Sequence, residues 1–202
     1  VVITISHAGY IKRTAISEYH SQGRCCRGAL CFRTRGEDFV EHMFTATNHQ
    51  TIILFTESGR CFWLKVYEIP EGAKATAGRV IQNLLNIPKE DKVRAYIIVR
   101  KFTDEEFINS HYIIFCTKNG QIKKTLLEEY SRPRQGGINA IGINEGDALI
   151  EAKLTNGKNE IILAIQSGKA IRFNEEDVRS MGRTAAGVRG IRVDEAGGDA
   201  VV

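Results

Sequence analysis

Basic side chains recur near the ends of four short apolar segments that each follow a turn: Lys12 and Arg13, Lys65, Lys123 and Lys124, and Arg172. A second basic set follows in the loops: Arg24 and Arg27, Arg79, Arg132 and Arg134, Arg183 and Arg189. Lysine and arginine at equivalent points of a repeating fold would form a curved stripe. Such a stripe can neutralise successive phosphates and release their counterions. The competing account is plain solvation of outer strands, since surface charge is common. Recurrence at equivalent positions weighs against it. The formal net charge is only +4, so placement, not total charge, must carry any binding of a polyanion.

Other chemistry finds little support. The five histidines do not cluster and none has metal-ligand spacing. No G-x-x-x-x-G-K-[ST] loop occurs. Most carboxylates fall in turns, where acids serve the backbone. The five cysteines are odd in number and irregular in spacing, so a disulfide framework is not expected. Cys25, Cys26 and Cys31 do not make a zinc spacing. No apolar run has the length of a membrane helix, and VVITIS is too short for a signal-peptide core. The chain therefore reads as cytoplasmic, away from the membrane, with no metal and no cofactor of its own.

The elements that must position the basic residues are short strands. VVITISHAG, TIILFTESG, YIIFCTKNG and IILAIQSG each end in a glycine: Gly9, Gly59, Gly120 and Gly168. Each reads as a strand entering a tight hairpin, with glycine supplying positive φ. Return strands follow as YIKRT, RCFWLKV, QIKKT and KAIRF. Next come basic loops, then third strands near 29–32, 80–85, 138–143 and 188–193. Acidic turns and fourth strands complete each unit. The repeats are approximately 1–50, 51–110, 111–158 and 159–202. A recurrence of four strands at this length points to a propeller-like all-β architecture. KFTDEEFINS reads as a polar hairpin tip, and NEEDVRSM as one helical turn capped by Asn174.

These segments reach a family. FWLKVYEIPE (62–71), GQIKKTLLEEYSRPRQGG (120–137), GKAIRF (168–173) and RSMGRTAAGVRGIRV (179–193) carry the resemblance, supported by YIKRTAISEY (10–19) and EDFVEHMF (37–44). Over essentially its whole length the chain resembles the C-terminal domain of the A subunit of bacterial DNA gyrase. The resemblance implies a single β-pinwheel domain over 1–202, a propeller-like disc of four-stranded blades that exchange strands. About four blades are expected here, a truncated form of an array that usually holds six.

The implied function is non-catalytic: to bend and wrap duplex DNA around a basic rim so that the parent ATP-dependent type II topoisomerase introduces negative supercoils. ATP and magnesium belong to the parent enzyme. Its catalytic tyrosine lies in a separate N-terminal region of the same polypeptide, which is an implied partner together with the gyrase B subunit. Tyr10, Tyr19, Tyr67, Tyr96, Tyr112 and Tyr130 read instead as packing residues. The family's Q-R-R-G-G-K-G box falls on Gln22, Gly23, Arg24, Cys25, Cys26, Arg27 and Gly28. Cysteines replace the central glycines. They reach positive φ only with strain, so this loop is expected to depart from its usual shape. The implied DNA contacts are Gln22, Arg24, Arg27 and Gly28 of the box, with Lys12, Arg13, Lys65, Arg79, Lys123, Lys124, Arg132, Arg134, Arg172, Arg183 and Arg189. The alternatives are a protein-binding propeller and the C-terminal domain of the A-type subunit of topoisomerase IV. A propeller hydrolase would need a central carboxylate or histidine cluster, for which the sequence offers nothing.

Overall fold

In the computed structural model, residues 1–25 and 27–202 are described. The first repeat supplies β1 (Val2–Ser6), β2 (Tyr10–Thr14) and β3 (Val40–Thr45). The second supplies β4 (Thr51–Thr56), β5 (Arg60–Lys65), β6 (Arg79–Val80), β7 (Val93–Val99) and a helix, α1 (Glu105–Ser110). The third supplies β8 (Tyr112–Thr117), β9 (Gln121–Leu126), β10 (Ile138–Asn139) and β11 (Leu149–Thr155). The fourth supplies β12 (Glu160–Ala164), β13 (Ala170–Asn174) and β14 (Val188–Arg189). Two compact units emerge, Val1–Ile52 with Leu64–Lys89, and Ile53–Trp63 with Glu90–Val202.

Three sheets have four strands, in the orders β3-β1-β2-β6, β10-β5-β4-β7 and β11-β8-β9-β14. In each, one edge strand is lent backwards by the following repeat. β6 pairs with β2, β10 with β5, and β14 with β9, all antiparallel. This is the strand exchange of a pinwheel. The fourth sheet is the β12-β13 pair, with Val201 bridging Ile165 beside it.

All four hairpins share one turn chemistry. The amides of Gly9, Gly59, Gly120 and Gly168 donate to Ser6, Thr56, Thr117 and Ile165 carbonyls at 2.9–3.0 Å. At Gly120 the need for glycine is twofold: φ is +84°, and a Cβ would stand 2.4 Å from the Ile191 carbonyl oxygen. The acidic turns latch the same hairpins. Asp38, Asp91, Asp147 and Asp199 accept from the amides of Ala8, Ser58, Asn119 and Ser167 at 2.8, 3.2, 2.9 and 3.0 Å. The Ser167 hydroxyl and nearby amides hold the Asp199 carboxyl below its ordinary range. Burial pushes Asp38 up, but the Ser6 hydroxyl and the Ala8 and Phe39 amides bring its net shift downward. Folded pKa values below the ordinary 3.8 mean that the Asp38 and Asp199 latches stabilise above that pH and fail as it falls further. Asp147→Ala removes the acceptor for both Asn119 and Ala148 amides. It is expected to destabilise the chain by about 1.5–3 kcal/mol in urea unfolding, with Asp147→Asn intermediate.

The third strands are shorter than their sequence implies. Three of the four pair over two residues, at 79–80, 138–139 and 188–189, and then turn. In the two fully formed cases of the larger unit the chain wraps a hairpin glycine: Ala140 and Ile141 amides donate to Gly59, and Gly190 and Ile191 to Gly120. The segment 29–32, read as a strand, has no strand assignment. KFTDEEFINS is not a hairpin tip. The Asp104 carboxylate accepts from the Phe107 amide at 3.1 Å and starts α1, with Glu105 and Glu106 in its first turn. Asn174 caps the 3₁₀ turn Glu175–Asp177 as its sequence implies.

β8 explains why the blade strands are apolar throughout. Ile113 and Phe115 join a core with Ile53, Phe55, Trp63 and Tyr130, while Ile114 and Cys116 join a second core with Ile122, Leu163 and Val178. Alternate residues thus enter different cores, and both faces of the sheet are dry. Tyr130 is fully buried, its hydroxyl donating to Ala140 at 2.8 Å. Tyr67 is exposed, so not every tyrosine packs inside.

Candidate nucleic-acid interface

The recurring basic residues separate into three environments. Lys12 and Lys123 occupy the same place in their hairpins, three residues after the turn glycine, and both are 0% exposed. The Lys12 ammonium donates to the carbonyls of Cys31, Ala73 and Lys74 at 2.9, 3.0 and 2.5 Å. The Lys123 ammonium donates to Ala140 and Arg183 carbonyls at 2.6 and 2.5 Å. Each lysine pins loops from inside. Burial lowers both pKa values, Lys123 to about 7, where the Arg183 guanidinium adds to the effect. Lys124 is buried as well, 3.9 Å from the Glu175 carboxylate, 3.2 Å from its carbonyl, and over the Tyr112 ring. An ammonium sealed inside the protein cannot meet a phosphate. Lys12, Lys123 and Lys124 are therefore corrected from contact residues to structural ones. In these strands the repeated charge marks a repeated pin.

A second group lies nearer the surface but is engaged. Arg13 donates to Ile69 and Asn48 and stands 3.7 Å from Glu71. Lys65 donates to the Thr51 hydroxyl at 2.9 Å. Arg172 pairs with Glu160 at 2.8 Å, Arg132 with Glu128 at 3.8 Å, and Arg183 with Glu129 at 3.6 Å.

The third group is exposed. Arg24, Arg27, Arg79, Arg134 and Arg189 make no ion pair or side-chain hydrogen bond to another described residue. Arg79 and Arg189 are not equivalent: Arg79 is paired with Ile11, but in the matching ladder Ile122 faces Val188 and Arg189 faces Gln121. They sit one residue apart in register and so point to opposite sides of their strands. Gln22 and Gly28 are exposed in a segment without strands. Among the described residues no non-glycine has positive φ, so Cys25 carries no such strain. Cys26 lies outside the described residues.

One place gathers several of these groups. Arg132, Arg134 and Arg183 line a cavity of about 230 Å³ with Glu128, Glu129 and Ile138. The 3₁₀ turn Leu127–Tyr130 presents the two carboxylates, and buried Leu127 and Tyr130 anchor it. Arg60 donates to the Gly136 carbonyl at 2.8 Å and fixes the far end of the arginine loop. Glu128 and Glu129 are not among the residues that the sequence singles out. The signal was present as Glu128 four residues before Arg132, a spacing at which opposite charges meet. Among the described residues no group of His, Cys, Asp and Glu could hold a metal. No helix of the described residues is long and apolar enough to cross a membrane.

The likeness to known proteins extends over the whole chain. The family model described as DNA gyrase C-terminal domain, beta-propeller, matches residues 1–46, 50–100, 111–156 and 159–202. The chain is 44% identical over 202 residues to the A subunit of DNA gyrase from Klebsiella oxytoca, covering 100% of this chain and 22% of that protein. It is 47% identical over 191 residues to the corresponding protein of Halalkalibacterium halodurans, covering 95% and 22%. The chain thus spans about a fifth of the length of these relatives. A solved C-terminal domain of DNA topoisomerase IV is similar at a TM-score of 0.80 and 29% identity, over 100% of this chain and 59% of that one. A solved DNA gyrase A C-terminal domain shares the fold at a TM-score of 0.75 and 22% identity, over 100% and 62%.

Proposed function

The chain belongs to the DNA gyrase C-terminal domain family of β-propellers, and from that premise we propose that it binds duplex DNA and wraps it, without catalysis of its own. The observation that carries this reading is the set of exposed guanidiniums at Arg24, Arg27, Arg79, Arg134 and Arg189, which are unengaged among the described residues. Arginine is weakly hydrated and presents a fork of donors that suits phosphate oxygens. Contacts of this kind position a duplex without reading its sequence. Bending a short site by 40–90° costs about 1–6 kcal/mol, and several phosphate contacts on a fixed framework can offset it.

The four repeats, 1–50, 51–110, 111–158 and 159–202, act in this reading as blades of one domain. The four matched segments of the family model and the strands lent between repeats support it. In the parent enzyme, a type II topoisomerase of the cytoplasm, DNA cleavage would fall to a tyrosine in the N-terminal region of the same polypeptide. ATP and magnesium would serve there, and the gyrase B subunit would be the partner. Relatives at 44% and 47% identity are gyrase proteins, which favours gyrase over topoisomerase IV.

The test is duplex binding across a salt series. Arg24→Ala with Arg27→Ala should flatten the log–log salt slope by about 1 per lost contact. An unmoved slope removes these residues from the interface. A chain that binds no duplex at low salt points instead to the protein-binding reading. Ligation of nicked plasmid around the bound domain then reads wrapping as a linking-number shift of one sign.

A further inference from the structure

Among the described residues, most basic side chains in the candidate interface either have no partner or are paired one to one with an acid. The cavity of the third repeat differs. Its lining brings three guanidiniums, Arg132, Arg134 and Arg183, together with two carboxylates, Glu128 and Glu129. Formal charges there leave one positive charge uncompensated, which is the charge one phosphodiester would cancel. Two of the arginines are already engaged, but weakly: Arg132 stands 3.8 Å from Glu128 with 88% of its side chain exposed, and Arg183 stands 3.6 Å from Glu129. Contacts of that length in water are worth little and are readily exchanged. Arg134 has no ion pair among the described residues.

The frame around these groups is firm. Lys123 holds the Arg183 carbonyl from below at 2.5 Å. The Gly137 amide donates to the Arg134 carbonyl at 3.0 Å, closing the loop into a turn. Arg60 ties Gly136 at 2.8 Å. The backbone is set before any ligand arrives, and only side chains need to exchange partners.

We propose that Arg132, Arg134 and Arg183 form a single pocket for one phosphodiester of the duplex, and that Glu128 and Glu129 set its affinity by competing with the phosphate for Arg132 and Arg183. This rests on the DNA-binding reading above. The carboxylates act as internal counter-ions. They hold the guanidiniums apart and in place when DNA is absent, and they yield them when a phosphate enters. The arrangement keeps binding at this blade weak enough to release.

Two measurements on the intact chain decide it. Glu128→Gln with Glu129→Gln should tighten duplex binding by about three- to tenfold at low salt, the gain narrowing as salt rises. Replacing Arg132, Arg134 and Arg183 together by alanine should lower the log–log salt slope by about 1, not about 3, because the three serve one phosphate. Near-ultraviolet circular dichroism confirms that each variant is folded, and Arg183→Lys, which keeps the charge, should retain most of the slope. An unchanged affinity in the glutamine pair overturns the competition. A slope loss of about 3, or none, overturns the shared pocket. Inorganic phosphate titrated alone, giving arginine-dependent heat while the DNA slope stays unmoved, would assign the pocket to a free anion and overturn the diester. If the parent chain binds no duplex at all, the DNA-binding reading itself fails and the proposal falls with it.

Discussion

Glu175→Ala is expected to destabilise the chain by about 3–5 kcal/mol, the effect of leaving a buried charge without its partner. Glu175 is 0% exposed. One carboxylate oxygen accepts from the Asn159 amide at 2.6 Å, and the other from the Thr155 hydroxyl at 2.7 Å with the Lys124 ammonium 3.9 Å away. The residue therefore joins β11, the turn before β12, and β9 through a single side chain. Alanine orphans two donors and takes the counter-charge from the ammonium, which keeps only the Glu175 carbonyl at 3.2 Å and the Tyr112 ring. Glu175→Gln keeps the shape and loses the charge, so it should fall between. Adding Lys124→Met to Glu175→Gln should recover part of the loss, because the buried charge is then gone from both sides. Urea unfolding of the four chains checks this. A loss below about 1 kcal/mol for Glu175→Ala would show that Lys124 is solvated in practice.

The hairpins were legible because their chemistry is local. Gly9, Gly59, Gly120 and Gly168 announce turns that only glycine closes, and all four appear where the sequence puts them. What was not legible is non-local. The segments 80–85, 138–143 and 188–193 look like full strands by residue type, yet pairing covers only 79–80, 138–139 and 188–189 before the chain turns. That turn is dictated by the preceding hairpin, some distance away in sequence. In KFTDEEFINS the cue is local and present: an Asp104 cap, acids after it, and Phe107 and Ile108 on the side that packs.

The candidate site was legible in its exposed arginines and misleading in its lysines. A lysine in a strand normally points to water, so Lys12, Lys123 and Lys124 suggested a rim. Here both faces of the strands are dry, and a long side chain turns its ammonium onto backbone carbonyls instead of solvent. The second repeat makes the same point by contrast. At the position matching Lys12 and Lys123 it has Phe62, buried like them. A phenylalanine and a lysine alternating at one site describe an interior position, and that comparison was available in the repeats themselves.

Lys123 should also make stability rise with pH across the range where most proteins are flat. Burial brings its pKa to about 7 from an ordinary 10.5. Between those values the unfolded chain binds a proton that the folded chain does not, so raising the pH favours the fold, by at most about 1.4 kcal/mol per unit. Lys12 is shifted in the same direction by burial and contributes with the same sign. The buried thiols act oppositely: Cys61 and Cys116 are pushed up from 9.0, so above that pH they oppose the fold. The clean window is pH 7–9. Lys123→Met removes the titrating group together with the donor to the Arg183 carbonyl, a pH-independent loss, while the Ala140 carbonyl keeps its Tyr130 hydroxyl donor. Across that window the stability of the parent chain should gain on that of Lys123→Met. Lys123→Arg, which stays charged, should lack the rise and be least stable relative to the parent at the upper end. Parallel curves for all three chains would mean that the ammonium reaches water, and that the loop bearing Arg183 is held by packing and not by a buried amine.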